Sequence, residues 1–257
     1  MAKRHDARAH WEAFLTGELP GVDRSRRILS HIPSTPRCKL CAAPYGLPGG
    51  AVMRLLGGGP SPLNRRLCRW CVPKLLAEEP GGAEVELTIL FADVRGSTTL
   101  AEGMAPGAYS ALLARFYGTA ARVVDRWNGI VDKFVGDAVV ALFIPGFAGP
   151  DHAAGAVGAA RDLLAESPAE LPLGVGVHTG VSFVGVVGEG DAIDFTALGD
   201  AVNATARLSA LAAPGELLVS AATAEAAELD TSGCEHRCLE LRGRSETLDV
   251  WRVGSRS

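Results

Sequence analysis

Val85-Glu86-Leu87-Thr88-Ile89-Leu90-Phe91-Ala92-Asp93-Val94-Arg95-Gly96-Ser97-Thr98 is a β-branched and apolar run that breaks at a carboxylate and a small polar turn. It reads as a buried strand ending at Asp93, followed by a turn of phosphate-binding size. Further on, Ile130 to Phe134 and Ala138 to Phe143 are two short strands around Gly136-Asp137, close enough for a hairpin with Asp137 at its tip. A sheet that sets these strands side by side brings Asp93 and Asp137 to one edge. Two bare carboxylates about 4 Å apart repel by about 4 kcal/mol at an effective dielectric of about 20, so the pair implies a cation or a shared proton. Oxygen ligands of this kind suit Mg²⁺ or Mn²⁺. Taken singly, each aspartate also has an ordinary explanation as a turn residue.

The elements around this pair alternate. Pro106 opens a helix whose apolar residues Tyr109, Leu112, Leu113, Phe116, Val123, Val124 and Trp127 fall at helical spacing until Asn128-Gly129. Asp151 is placed to cap an Ala-rich helix. Leu173 to Thr179 and Val181 to Val187 read as a strand pair turning at Gly180, with Phe195 to Leu198 a further strand before a helix starting near Asp200. Glu216 to Ser220, a short Ala-rich helix, and strands near Cys238 to Leu241 and Thr247 to Val253 complete one sheet-and-helix domain of α+β class. Asn203 and Arg207 lie four apart on one predicted helix and share a face. His178, beside a glycine, is expected to be a packed strand histidine with no catalytic role.

Ahead of this domain the chain is different. Residues 1–37 read as an arm with a short helix around Trp11 to Leu15 and a basic run at Arg24, Arg26 and Arg27. Residues 38–80 carry two cysteine pairs, and Glu78-Glu79-Pro80-Gly81-Gly82 supplies boundary breakers before a domain over 83–254. Residues 1–80 hold 13 Lys and Arg against 6 Asp and Glu, and residues 81–257 hold 12 against 23. That asymmetry separates two units. A basic front part attracts nucleic acid, an acidic partner or an acidic face of its own chain, and charge alone does not choose among them. With 47% hydrophobic and 21% charged residues the chain is globular rather than disordered. No apolar run reaches the roughly 18 residues of a membrane span and no signal-peptide core follows Met1, so the expected compartment is the cytoplasm.

Cys38-Lys-Leu-Cys41 and Cys68-Arg-Trp-Cys71 offer four thiolates in the arrangement of a structural Zn²⁺ site, an iron–sulfur cluster and redox or free thiols being the alternatives. Cys234 and Cys238 read as ordinary thiols. Arg65, Arg66 and Arg69 are suited to phosphate contacts, although no base-reading helix is evident. A nucleic-acid or regulatory protein partner for this module is therefore open.

Phe91-Ala92-Asp93-Val94-Arg95-Gly96-Ser97-Thr98, Asp132-Lys133-Phe134-Val135-Gly136-Asp137-Ala138, and Phe195-Thr196-Ala197-Leu198-Gly199-Asp200-Ala201-Val202-Asn203 with Arg207 together resemble class III adenylate/guanylate cyclases, in order, over about residues 85–253. The resemblance implies a ferredoxin-like cyclase domain that converts ATP to cyclic AMP and pyrophosphate with two Mg²⁺ or Mn²⁺ ions. Asp93 and Asp137 would be the metal ligands, with the Val94 carbonyl helping and the amides of Gly96, Ser97 and Thr98 facing phosphate. Lys133 and Thr196 would read adenine, and Asn203 and Arg207 would orient the ribose and stabilise phosphate charge. Thr at position 196 looks like the bicarbonate-responsive subgroup, many similar enzymes having Asp there. Arg242, or Arg244, resembles a late phosphate contact. Because one chain carries both sets of residues, a homodimer with two shared sites follows. The competing readings are a catalytically silent nucleotide sensor and a zinc-dependent nucleic-acid-binding regulator that uses the cyclase-like domain as a dimerisation scaffold.

Overall fold

The computed structural model describes residues 2–18, 28–29, 31–32, 36–38, 41–62, 67–76, 81–188, 194–240 and 247–254. Its helices are α1 (Ala2–Thr16), α2 (Gly49–Leu55), α3 (Cys71–Leu76), α4 (Ser97–Glu102), α5 (Pro106–Arg126), α6 (Pro145–Ala148), α7 (His152–Glu166), α8 (Asp200–Leu211) and α9 (Ala221–Ala226). Its strands are β1 (Gly82–Val94), β2 (Ile130–Val135), β3 (Ala138–Phe143), β4 (Leu173–Val187), β5 (Asp194–Leu198), β6 (Glu216–Ser220), β7 (Glu235–Glu240) and β8 (Thr247–Val253). Among the described residues these strands form one sheet in the order β2-β3-β1-β4-β6-β8-β7, with β5 pairing β4 off that path. No described helix is long and apolar enough to cross a membrane.

The chain divides into two compact units. One comprises Met1–Val85, Pro145–Gly149 and Phe183–Thr196, and the other Glu86–Ile144, Pro150–Ser182 and Ala197–Ser257. In the first, α1 is longer than the expected turn or two around Trp11, and it buries Trp11, Phe14 and Leu15 almost completely. The cysteine pairs belong to this unit as well.

In the second unit, β1 pairs antiparallel with β3, and β3 with β2, as the hairpin reading requires. Pro106 starts α5, whose Leu112, Phe116, Ala120, Val123 and Val124 form its buried stripe. Asn128 ends the segment in the left-handed region at φ 59°. Asp151 precedes α7 as expected, yet its side chain makes no capping bond, because its φ of −84° and ψ of 28° lie outside the extended conformation of a cap. The backbone carbonyl of Asp151 accepts the Gly155 amide instead, at 2.9 Å.

Gly180 is not a turn. β4 runs unbroken from Leu173 to Val187, and its glycines serve a close approach. A Cβ at Gly174 would lie 2.8 Å from the Ala212 carbonyl oxygen, one at Gly176 2.5 Å from the Ser209 amide, and one at Gly180 3.1 Å from the Ala201 Cβ. Alternation along a strand puts these three positions on one face, where they make a channel for α8. Beside it runs a chain of buried hydrogen bonds: His152 Nδ1 with Thr88 Oγ1 at 2.9 Å, Thr88 with Thr179 at 2.8 Å, Thr179 with Thr223 at 3.0 Å, Thr223 with Ser220 at 3.0 Å, and Ser220 with His178 Nδ1 at 2.9 Å. His178 is thus a packed, hydrogen-bonded core residue.

The channel makes a quantitative demand. Gly176→Ala must displace the α8 backbone and is expected to destabilise the protein by about 1–3 kcal/mol, more than Gly180→Ala, whose new methyl meets side-chain atoms only, the Ala201 Cβ at 3.1 Å and His178 Nε2 at 3.2 Å. Urea unfolding of both variants checks this; an unchanged midpoint for Gly176→Ala would contradict the channel.

Candidate active site

The β1–β3 register sets Asp93 opposite Ala138, the residue after Asp137. Gly136 makes the preceding turn at φ 59°, a conformation that favours glycine. The carboxylates the sequence placed at one edge therefore do converge. Burial pushes the Asp93 carboxyl above its ordinary value, the Arg95 guanidinium opposes the rise, and the neighbouring Asp137 adds to it through charge and hydrogen bonding. An acid held up in this way is in want of a positive charge. Oxygen donors at a partly buried edge fit a hard divalent cation.

Sequence reasoning assigned no role to Arg95. Its Nη2 donates to Asp93 Oδ2, its Nη1 donates to the Ala210 carbonyl at the end of α8 at 2.9 Å, and its amide donates to the Pro172 carbonyl at 2.7 Å. The guanidinium thus tethers the Asp93 carboxylate to α8. Val94 is buried and its amide hydrogen-bonds the Asp93 carboxylate. Gly96 adopts φ 68° and passes the chain into α4 at Ser97, with Thr98 exposed in its first turn.

A second unforeseen residue is Tyr117 of α5. Its hydroxyl donates to the Gly136 carbonyl, and its ring stacks on Phe134 with centroids 4.3 Å apart. One aromatic side chain thereby clamps the hairpin tip that carries Asp137. The local signal, an aromatic on the helix preceding the hairpin, does not distinguish a clamp from a core residue. In β2 a bulge falls between Val131 and Lys133, with Asp132 the extra residue. It turns the Asp132 side chain inward to 3% exposure, with its Oδ2 3.3 Å from Lys133 Nζ, while the Lys133 side chain stays 41% exposed.

The remaining expected residues occupy the β4–β5–α8 region of the chain. Thr196 is buried on β5, and Asn203 and Arg207 share a face of α8, the first exposed and the second half-buried. Arg242 and Arg244 lie outside the described residues, as do Arg24, Arg26, Arg27, Arg65 and Arg66. Arg69 is described, and its Nε donates to the Pro60 carbonyl at 3.4 Å.

In the other unit the four front cysteines meet. Their sulfurs all lie within 4.8 Å of one another, with Cys41 and Cys68 at 3.7 Å. The Cys68 amide donates to Cys38 Sγ at 3.2 Å. Each pair sits in a tight turn: the Ala42 amide reaches the Cys38 carbonyl at 2.9 Å, and the Cys71 amide the Cys68 carbonyl at 3.1 Å. Hydrogen bonds from Cys41, Cys68 and Cys71 hold the Cys38 thiol far below its ordinary value, whereas the bonds to Cys38 push Cys41 and Cys71 up. Four sulfurs this close cannot all ionise without a cation among them, and all-sulfur donors fit a soft or borderline metal. Cys234 and Cys238 belong to no such cluster among the described residues.

Comparison with known proteins agrees with this geometry. Residues 82–251 match the family model for the adenylate and guanylate cyclase catalytic domain. An uncharacterized protein of Mycobacterium tuberculosis is 37% identical over 175 residues, covering 65% of this chain and 32% of its own length. The chain thus spans about a third of that relative. An adenylate cyclase of Anabaena cylindrica is 33% identical over 131 residues, 47% of this chain and 26% of that one. Among solved structures, the guanylyl cyclase Cya2 superposes with a TM-score of 0.63 at 28% identity, covering 68% of this chain and 94% of that one. The adenylyl cyclase CyaB from P. aeruginosa gives 0.61 at 27% identity, covering 68% and 97%. With two aspartates meeting across β1 and β3 in an α+β sheet, and the family match spanning that sheet, the chain belongs to the class III adenylate/guanylate cyclase family.

Proposed function

We propose that the chain is an adenylate cyclase that converts ATP to 3′,5′-cyclic AMP and pyrophosphate in sites shared by two copies of itself. The observation that carries this reading is the juxtaposition of Asp93 and Asp137, a carboxylate pair whose raised acid needs a cation. The two aspartates would hold two Mg²⁺ or Mn²⁺ ions, with the Val94 carbonyl as a further oxygen. Such ions, when bound, lower the pKa of a coordinated hydroxyl and neutralise triphosphate charge.

The protein's own part is positioning and charge. The ribose 3′-oxygen attacks the α-phosphorus, the bond to the bridging oxygen breaks, pyrophosphate leaves with that electron pair, and the hydroxyl proton passes to solvent. No side-chain nucleophile takes part. Asn203 orients the ribose, and Arg207, with its fixed fork of donors, stabilises charge that builds on the phosphates. The Gly96, Ser97 and Thr98 amides and Arg242 are assigned to the phosphates. Lys133 donates to adenine's ring nitrogen and the Thr196 hydroxyl accepts from its amino group, whereas guanine presents the reverse pattern at that edge. This pairing favours ATP over GTP.

Dimerisation is supported by apolar side chains left at the surface near these residues: Phe134 and Val135 on β2, Val181 on β4 and Leu198 on β5. For the front cysteines we assign a structural Zn²⁺, which would cross-link the 38–41 and 68–71 turns as a disulfide would in an oxidising compartment.

Purified protein given ATP or GTP with Mg²⁺ or Mn²⁺ is expected to form cyclic AMP in preference to cyclic GMP, identified by mass. Asp93→Ala and Asp137→Ala should each lower turnover at least about 10²-fold with the fold intact; near-normal rates in both would remove the metal assignment. Lys133→Glu should shift preference from ATP toward GTP, and an unchanged ratio would refute its base-reading role. Metal analysis should find one zinc per chain, lost in Cys38→Ser. Iron with acid-labile sulfide would replace zinc by a cluster, and metal-free protein of unchanged stability would abolish the site.

A further inference from the structure

We infer that the amino-terminal helix α1 is a positioning element for the base-reading strand, acting through an aromatic train of Trp11, Phe14, Phe147 and Phe195. The inference rests on the reading of Thr196 as an adenine contact. Trp11 and Phe14 meet edge to face with centroids 5.7 Å apart, Phe14 and Phe147 at 5.4 Å, and Phe147 and Phe195 at 6.4 Å. Edge-to-face contacts in this range are the favoured geometry of aromatic pairs. The first three rings are no more than 1% exposed. All four belong to one compact unit, which gathers α1, the 145–149 segment and the 183–196 segment from distant parts of the sequence.

The backbone supports the same docking. A Cβ at Gly146 would lie 2.4 Å from the Phe14 carbonyl oxygen and 2.8 Å from that of Leu15, so the end of α1 rests directly on the main chain beside Phe147. Only a glycine tolerates that approach.

β5 is a strand that depends on such support. It has five residues and, among the described residues, pairs with β4 alone, off the main path of the sheet. Hydrogen bonds to a single neighbour fix its register, and side-chain packing must fix its tilt. Phe195 is half-buried and supplies that packing, while Thr196, the next residue, projects to the opposite face. A shift of Phe195 therefore moves the Thr196 hydroxyl against its acceptor-to-donor task at adenine. Lys133 lies on β2, outside this train, and so do the metal ligands. The train tunes base selection and leaves metal binding alone.

The test is equilibrium binding of ATP and of GTP to the full chain by calorimetry, each as its α,β-methylene analogue, which cannot lose pyrophosphate, with hydrogen exchange of the α1 amides measured in the same samples. Phe14→Ala should weaken ATP binding about fivefold with GTP binding held within about twofold, and Phe14→Leu, which refills the site, should restore the preference. Coupling is reciprocal, so ATP should protect the α1 amides of the unsubstituted protein more than GTP does. That second arm decides the matter if Phe14→Ala fails to fold. A folded Phe14→Ala with an unchanged ATP-to-GTP ratio, or equal protection of α1 by the two nucleotides, would overturn the inference, as would protein that binds neither. ATP binding with the expected responses but no cyclic AMP would leave the train standing and defeat the cyclase reading.

Discussion

Asp93 and Asp137 stand side by side because β1 and β3 pair antiparallel with Asp93 opposite Ala138. Two carboxylates so placed repel, and much of the second unit is arranged to hold them there. Arg95 bonds one of them and ties it to α8, the Gly136 turn presents the other, and Tyr117 clamps that turn from α5. Burial above all holds the Asp93 carboxyl above its ordinary value, with Arg95 opposing the rise and Asp137 adding to it. A carboxylate pair of this kind fits the divalent cations proposed for it. The geometry and the family membership point to the same chemistry from independent directions.

How legible this was in the sequence depended on whether the signal was local. The β2–β3 hairpin, the Pro106 start of α5 and the strand before α8 follow from turn residues and periodicity, and each is found where the pattern placed it. The convergence of Asp93 with Asp137 follows from those elements plus one strand pairing. Gly180 was misjudged because glycine marks both reversals and close approaches. Which applies here depends on α8, a contact about 20 residues away in sequence that no window contains. Asp151 stands at the expected helix start, but its backbone angles deny the side chain a capping role. Arg95 and Tyr117 went unassigned for the same physical reason as Gly180: their partners, Ala210 and Gly136, are close in space and not in sequence.

The cysteine spacing announced a metal site, and the four sulfurs do gather within 4.8 Å. The burial of Trp11, Phe14 and Leu15 was not announced, because a short amphipathic stretch beside a basic, proline-containing segment looks like an arm until its partner aromatics are known. Glycines that let backbones touch, at Gly146 under α1 and at Gly176 under α8, recur as the means by which helices are seated.

The proposed catalytic site takes Asp93 and Asp137 from one copy and Asn203 and Arg207 from another. It is tested most directly by mixing Asp93→Ala protein with Asn203→Ala protein, each expected to be at least about 10²-fold slower alone, and measuring cyclic AMP formation. Recovery of about a quarter of the unsubstituted activity is expected at equal mixing, because half of the dimers are mixed and each restores one of two sites. No recovery in dimers verified as mixed, or full activity of either variant alone, would contradict it.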